Sequence, residues 1–216
     1  MKSGKNISSK LINNISKISR IIESFQREYP DEIRMSFKDQ DQLFAKYGWY
    51  IFDGTSLEEV LIILKYFNQD NEGLAQEKIK NIIEKNFEEI ETDLITLNSE
   101  SDHIIKEAIN CHKQELFYAS TILFLSITDG ISKGKLFNSK YFEKIKKRNK
   151  NHFLLDIFNE KNLINKQFVP DKSSNTELMR HGIMHGNSNN YGNKLNSLKA
   201  LSLLHYISLR KKELGK

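Results

Sequence analysis

The chain has 216 residues, of which 38% are apolar, so it is long enough to bury a hydrophobic core and too polar for a membrane protein. Its formal charge of +5 is compatible with an anionic partner, although 33 basic residues are nearly balanced by 28 acidic ones. Cys111 is the only cysteine, which excludes an intramolecular disulfide and a thiolate zinc cage, and two prolines and ten glycines predict an all-α chain.

The first predicted helix covers residues 7–27, where apolar side chains recur at three- and four-residue steps and Pro30 follows. The basic residues near the start are followed by no continuous apolar segment and no small-residue cleavage site, so we expect no secretory signal. The longest apolar segment, residues 116–127, is shorter than the roughly 20 residues of a membrane helix. We therefore expect a cytoplasmic protein without membrane contact.

Aromatic residues follow this helix between two turns. We expect Trp49, Tyr50 and Phe52 to pack between helices, and the alternative is a stacking surface for bases. The sequence SLEE at residues 56–59 is a capping box that predicts the start of a helix. A further helical pattern runs through residues 74–97.

A polar segment, NSESD at residues 98–102, is the predicted boundary between a helical accessory region (1–98) and a C-terminal helical bundle (99–216). Residues 103–131 predict two helices or one kinked helix. Their second part is apolar nearly all round, which is typical of a helix enclosed by others.

The last third of the chain contains shorter predicted elements. The basic run KIKKRNK at 144–150 is either a solvated helix end or a nucleic-acid contact. A short helix is expected from Thr176 to His185, with Gly186 at the left-handed C′ position. Asn196 is the predicted N-cap of a final helix.

The densest cluster of chemically active side chains is TELMRHGIMHG, which contains Arg180, His181 and His185. The two histidines would share a helix face as zinc ligands do, but no third ligand lies nearby in sequence, so we expect no metal. A structural role, with Arg180 paired to an acid and the histidines partly buried, is the second interpretation. The flanking glycines disfavour it, because they weaken so short a helix.

The third interpretation is RNA cleavage without a metal. Histidine exchanges protons near neutral pH, and the arginine fork stabilises charge on phosphoryl oxygens. Arg180 and His185 are five residues apart, about 140° around an ideal helix, so a straight helix would not direct both at one phosphate. Either the helix ends near Gly182 or Gly186, or two copies of the chain meet across a two-fold axis.

The segment RHGIMH fits the R-x4-6-H pattern of HEPN domains, and residues 100–213 resemble the helices around that motif in bacterial HEPN proteins of the abortive-infection type. The resemblance implies a helical bundle that dimerises, places two motifs in one cleft, and cuts RNA without a cofactor. It assigns phosphate stabilisation to Arg180 and proton transfer to His185. His181 takes the polar position after the arginine, and Asp129, at the end of the buried helix, either orients a catalytic side chain or is a turn residue before Gly130. Because they are close to the motif, Asn187 and Tyr191 are expected to line the cleft as supporting or substrate-binding residues.

The expected function is therefore that of a homodimeric endoribonuclease, acting as a toxin or phage-defence effector and controlled by an antitoxin or another regulatory protein. RNA is its expected substrate. The alternative is a HEPN-like module that binds RNA, a nucleotide or a partner protein without cutting. A purely structural dimerisation domain is a third possibility.

Overall fold

The computed structural model describes residues 17–136, 138–149, 152–158, 164 and 177–214, which form helices and no strand. The predicted all-α fold is confirmed. The α-helices in chain order are α1 (residues 17–28), α2 (Phe37–Lys46), α3 (Leu57–Asn68), α4 (Glu72–Lys85), α5 (Phe87–Leu97), α6 (Asp102–Lys113), α7 (Phe117–Ile131), α8 (Ser139–Arg148), α9 (Phe153–Ile157), α10 (Arg180–Met184) and α11 (Lys194–Leu209). None of these described helices combines the length and apolar character needed to span a bilayer.

Local signals explain several helix ends. The predicted capping box is present, because the Ser56 hydroxyl accepts from the Glu59 amide while the Glu59 carboxylate accepts from the Ser56 amide. The 74–97 pattern is interrupted at Asn86, whose side-chain amide donates to the Ile82 carbonyl and competes with helix continuation. Residues 103–131 form two helices, and Glu115, at a φ of 61°, lies in the turn between them.

The N-cap predicted for the last helix was wrong by three residues. Helix α11 begins at Lys194, and the Asn193 side chain accepts from the Asn196 amide at 2.9 Å. The Asn196 side chain instead donates to the Tyr191 carbonyl at 3.0 Å. Both asparagines precede the same apolar run, so sequence alone did not distinguish the cap from the third residue of the first turn. Residues 7–16, Pro170 and Thr176 lie outside the described part of the chain. The short helix expected from Thr176 was predicted to start too early, because residues 177–179 are not helical and the helix begins at Arg180.

Helix α11 lies at the centre of the fold, and every residue from Asn196 to Ser208 is buried. It packs mainly on α7 and also contacts α4 and α5, while α6 packs on α7 and α5. Helix α7 is less enclosed than its apolar sequence suggests, because Tyr118 and Ile122 remain exposed. The core contains residues from both sides of residue 98, and the domain division there stays a prediction.

The aromatic residues after α2 belong to this core. Trp49, Tyr50 and Phe52 are all buried, which confirms the packing interpretation and excludes them as an open stacking surface. The ring of Tyr50 lies 5.8 Å from that of Tyr206 on α11. The Tyr206 hydroxyl donates to Asp41 at 2.7 Å, so an N-terminal helix is tied directly to the central one.

His112 is a buried titratable group between α6 and α11. Its Nδ1 lies 2.8 Å from the Ser197 hydroxyl, and its ring stacks on Phe87. Burial lowers the pKa of His112 to about 4, with a smaller contribution from the positive charge of Lys194. The folded protein therefore holds this histidine in its neutral form at neutral pH.

We expect this histidine to make the fold sensitive to acid. In the unfolded chain its pKa is near the ordinary 6.5, so between pH 6.5 and about 4 the unfolded state binds more protons. Stability should be fully present above pH 6.5 and should fall by up to about 3 kcal/mol as the pH drops to 4. Urea unfolding of the wild type and His112→Gln at pH 7, 5.5 and 4.5 tests this, because carboxylate titration is common to both. Parallel pH dependences would contradict it.

Candidate functional site

Helix α10 is a single short helix held against α7 by its apolar side. Leu178 and Ile183 are buried, whereas His181, Met184 and His185 are exposed. Gly182 is buried as well, on the packed side of the helix. The sequence thus places a small, apolar face inward and both histidines toward solvent.

The helix ends immediately before His185. His185 is the C-cap residue, and Gly186 adopts a φ of 70° at the C′ position, as predicted. The Asn187 amide donates to the Gly182 carbonyl at 2.8 Å, and the Gly186 amide donates to Ile183 at 3.1 Å. This pair of bonds is the Schellman arrangement, in which a left-handed glycine closes the helix. His185 therefore lies at the end of the helix. A helix end near Gly186 was one of the two arrangements that the five-residue spacing of Arg180 and His185 required for binding one phosphate.

His181 and His185 lie side by side. Their ring centroids are 4.5 Å apart and the ring planes are inclined by 58°. The His185 amide donates to the His181 carbonyl, so one helical turn fixes the spacing of the two backbones. Both imidazoles are therefore accessible to a ligand or to solvent at the same place.

Arg180, the first residue of α10, faces Asp129 in the last turn of α7. A guanidinium nitrogen lies 3.7 Å from Asp129 Oδ2, and both side chains are mostly buried. Burial lowers the pKa of Arg180, and the negative charge of Asp129 opposes that shift. An arginine keeps its proton under such conditions, because its ordinary pKa is so high. Asp129 therefore contacts the predicted phosphate-binding residue directly.

The other oxygen of this carboxylate has a different environment. Asp129 Oδ1 is buried and accepts no hydrogen bond from the described residues. A buried carboxylate oxygen without a donor is costly, so Asp129 depends on the positive charge of Arg180 for compensation.

The loop after α10 contains the remaining predicted residues. Asn187 is exposed, and its amide closes the helix as described above. Tyr191 is buried, with its ring 5.0 Å from that of Tyr118 in an edge-to-face contact. Burial raises the pKa of Tyr191. The exposed member of this pair is Tyr118, which donates to the Asn189 carbonyl at 2.9 Å.

Sequence reasoning had not singled out Tyr118. Its contacts with the loop join positions 71 residues apart, and no local pattern reports such a pairing. The available signal was a tyrosine in the first turn of an otherwise apolar helix.

Both histidines of α6 lie beside other side chains. His112 bonds to Ser197, and His103 lies 3.9 Å from the neighbouring Asp102. Within the part of the chain that the structure describes, no three His, Cys, Asp or Glu side chains are grouped to hold a metal ion.

Comparison of the chain with protein-family models, with curated proteins and with solved structures found no match. The likeness to HEPN domains therefore rests on the motif and its surrounding helices.

Proposed function

We propose that this protein is a metal-independent endoribonuclease of the HEPN type that acts as a homodimer in the cytosol. The observation that carries the proposal is α10, a five-residue helix that begins with Arg180 and ends at His185, and on which the exposed rings of His181 and His185 lie 4.5 Å apart. The combination provides a cation for phosphate and imidazoles for proton transfer.

The chemistry assigned to the site is attack by the ribose 2′-hydroxyl on the adjacent phosphorus. The P–O5′ bond breaks, the 2′-hydroxyl loses its proton to a base, and the departing 5′-oxygen gains one. His185 exchanges one of these protons, while Arg180 binds the phosphoryl oxygens on which charge accumulates. The products are a 2′,3′-cyclic phosphate and a 5′-hydroxyl.

Asp129 acts as a positioning residue in this scheme. A guanidinium carries five N–H donors in a planar fork, so contact with one carboxylate oxygen is compatible with binding phosphate. The contact also limits the rotamers of Arg180 before substrate arrives. The Arg180 side chain then loses less conformational entropy when the substrate binds.

A second copy of the chain accounts for apolar side chains beside the motif. Tyr118 and Ile122 are exposed on the face of α7 that also carries Asp129, and Met184 is exposed on α10. Exposed apolar residues next to a polar site are typical of an interface. A two-fold axis through this region would bring two motifs into one cleft. The role as toxin or phage-defence effector, with an antitoxin or other regulator, follows from the resemblance alone.

A second candidate function is RNA binding without cleavage, in a HEPN-like module. The Arg180–Asp129 contact favours it, because an ion pair between two helices explains the arginine without a substrate. A module that binds RNA without cutting it has no need of two exposed, adjacent histidines.

The test is RNA cleavage in EDTA by the wild type and by the double variant Arg180→Ala, His185→Ala. We expect the wild type to cut and to leave cyclic-phosphate and 5′-hydroxyl ends, and the double variant to cut at no detectable rate. Light scattering on the same samples should give the mass of a dimer. Cleavage that requires a divalent metal, or equal cleavage by both proteins, would refute the proposal. Binding without cleavage by either would favour the second candidate.

A further inference from the structure

Helix α8 carries a row of exposed basic side chains. Lys140, Lys144 and Lys147 follow at four- and three-residue steps, so they share one face of the helix, while Ile145 is buried on the other. Lys146 and Arg148 are exposed beside this row. We call these five basic residues the α8 surface.

The α8 surface has no carboxylate partner among the described residues, unlike several basic positions on other helices. Lys106–Asp102, Lys113–Glu91 and Lys80–Glu77 are ion pairs of 2.6 to 2.9 Å. None of the five basic residues on α8 forms an ion pair with a described residue. Their charges therefore add to one another.

Two neighbouring segments of the same chain enlarge this positive region. Residues 133–148 contain seven basic residues and one acidic residue, a formal charge of +6 against +5 for the whole chain. Lys135 Nζ and the Tyr141 hydroxyl both donate to the Leu214 carbonyl, at 2.8 and 2.9 Å. These bonds hold the turn at residues 211–213, with two more exposed lysines, against the start of α8.

Helix electrostatics explain only part of this pattern. Basic residues in the last turn of a helix stabilise it through the macrodipole, which accounts for Lys146, Lys147 and Arg148. Lys140 lies in the first turn of α8, where a positive charge is unfavourable, and this first turn contains no acidic residue. A cost to the helix at that position indicates a function for the charge.

The turn between α7 and α8 links a residue of the candidate site to the positive region. The Gly134 amide donates to the Asp129 carbonyl at 2.9 Å, so the turn that follows α7 folds back onto the residue paired with Arg180. That turn carries Lys133 and leads directly into α8. This turn therefore connects Asp129, which faces Arg180, to the α8 surface along the chain.

We propose that the α8 surface binds the phosphate backbone of the RNA that is cut at the α10 motif. The inference rests on the proposed function for its substrate. Clustered lysines bind phosphates by counterion release, without sequence preference. A lipid surface fits less well, because the apolar residues of α8 face the core, whereas an interfacial helix exposes its apolar side.

The experiment measures the affinity of the full chain for a fluorescent single-stranded RNA in EDTA, as a function of salt. All proteins carry His185→Ala so that the probe stays intact. The test variant is Lys140→Gln, Lys144→Gln, Lys147→Gln. The matched control is Lys85→Gln, Lys106→Gln, Lys113→Gln, which removes the same charge from exposed positions on α4 and α6.

We expect the test variant to lower the slope of log affinity against log salt by about 2, and to weaken binding roughly 50-fold at 0.1 M salt. The control should change affinity by less than about threefold. Replacement of the same three α8 lysines by arginine keeps the charge and should preserve binding. Each single α8 substitution should weaken binding by about fourfold, which provides the test if the triple variant unfolds.

Equal losses in the test and control variants, or no RNA binding by the His185→Ala chain, would overturn the inference. So would binding to phosphatidylserine vesicles with the same dependence on α8 and no binding to RNA. If the wild type fails to cut RNA yet the α8-dependent RNA affinity is observed, the proposed ribonuclease is refuted and the α8 surface stands.

Discussion

Replacement of His185 by alanine is expected to lower the rate of RNA cleavage by about 10²- to 10⁴-fold, because a positioned proton-transfer group contributes that much. His185 is exposed at the end of α10, so its loss should cost the fold less than about 0.5 kcal/mol. Single-turnover cleavage in EDTA, with circular dichroism melts of both proteins, measures the two effects. A large loss of rate with an unchanged melt would assign His185 to the chemistry.

The control for this variant is His103→Ala, which removes an exposed histidine from α6. It should cut at the wild-type rate. Arg180→Ala should lower the rate by about 10²- to 10³-fold, and Arg180→Lys should recover part of it, because lysine keeps the charge without the fork. Wild-type activity in both the His185 and Arg180 variants would remove the site from the mechanism.

Replacement of Trp49 by alanine is expected to destabilise the fold by about 3–5 kcal/mol. The side chain has no exposed surface and belongs to the central core, with Lys199 Nζ 5.3 Å from its ring centre. Truncation removes a large buried ring and leaves a cavity that the surrounding helices fill only in part. Urea unfolding followed by circular dichroism gives the difference in free energy.

Two variants sharpen this prediction. Phe37→Ala removes another aromatic ring, but one that is 84% exposed, and should change stability by no more than about 0.5 kcal/mol. Trp49→Phe should cost less than Trp49→Ala, because the indole Nε1 has no hydrogen-bond partner among the described residues and most apolar volume is kept. A loss below 1 kcal/mol for Trp49→Ala would show that the aromatic segment is not part of the core.

Sequence patterns were sufficient for features that depend on neighbouring residues. The capping box at Ser56 and the left-handed Gly186 are local devices, and both were predicted. The choice between Asn193 and Asn196 as cap was missed because either residue satisfies the same rule. The enclosure of α11 was also missed, because its serines, histidine and lysine are buried through partners from other helices, as in the Asn98–Ser208 bond.

In the candidate site, too, the features that depend on neighbouring residues were predicted and those that depend on helix packing were not. Arg180, His181 and His185 are close in sequence, so composition and spacing identified them. The contact between Arg180 and Asp129 joins α10 to α7, and only the packing of those helices reveals it. Tyr191 was predicted to line a cleft, and its burial against Tyr118 depends on the path of the loop, which sequence spacing does not determine.

The position of α11 in the chain has a consequence for synthesis. The ribosome makes α4, α5 and α7 before α11, the helix on which they pack, so these early helices emerge without their partner. The Tyr206–Asp41 bond spans 165 residues, and contacts of such separation form slowly because long loops must close first. A growing chain thus has no finished core until α11 has been translated. A ribonuclease with this order of helices would become active only after the ribosome has translated α11.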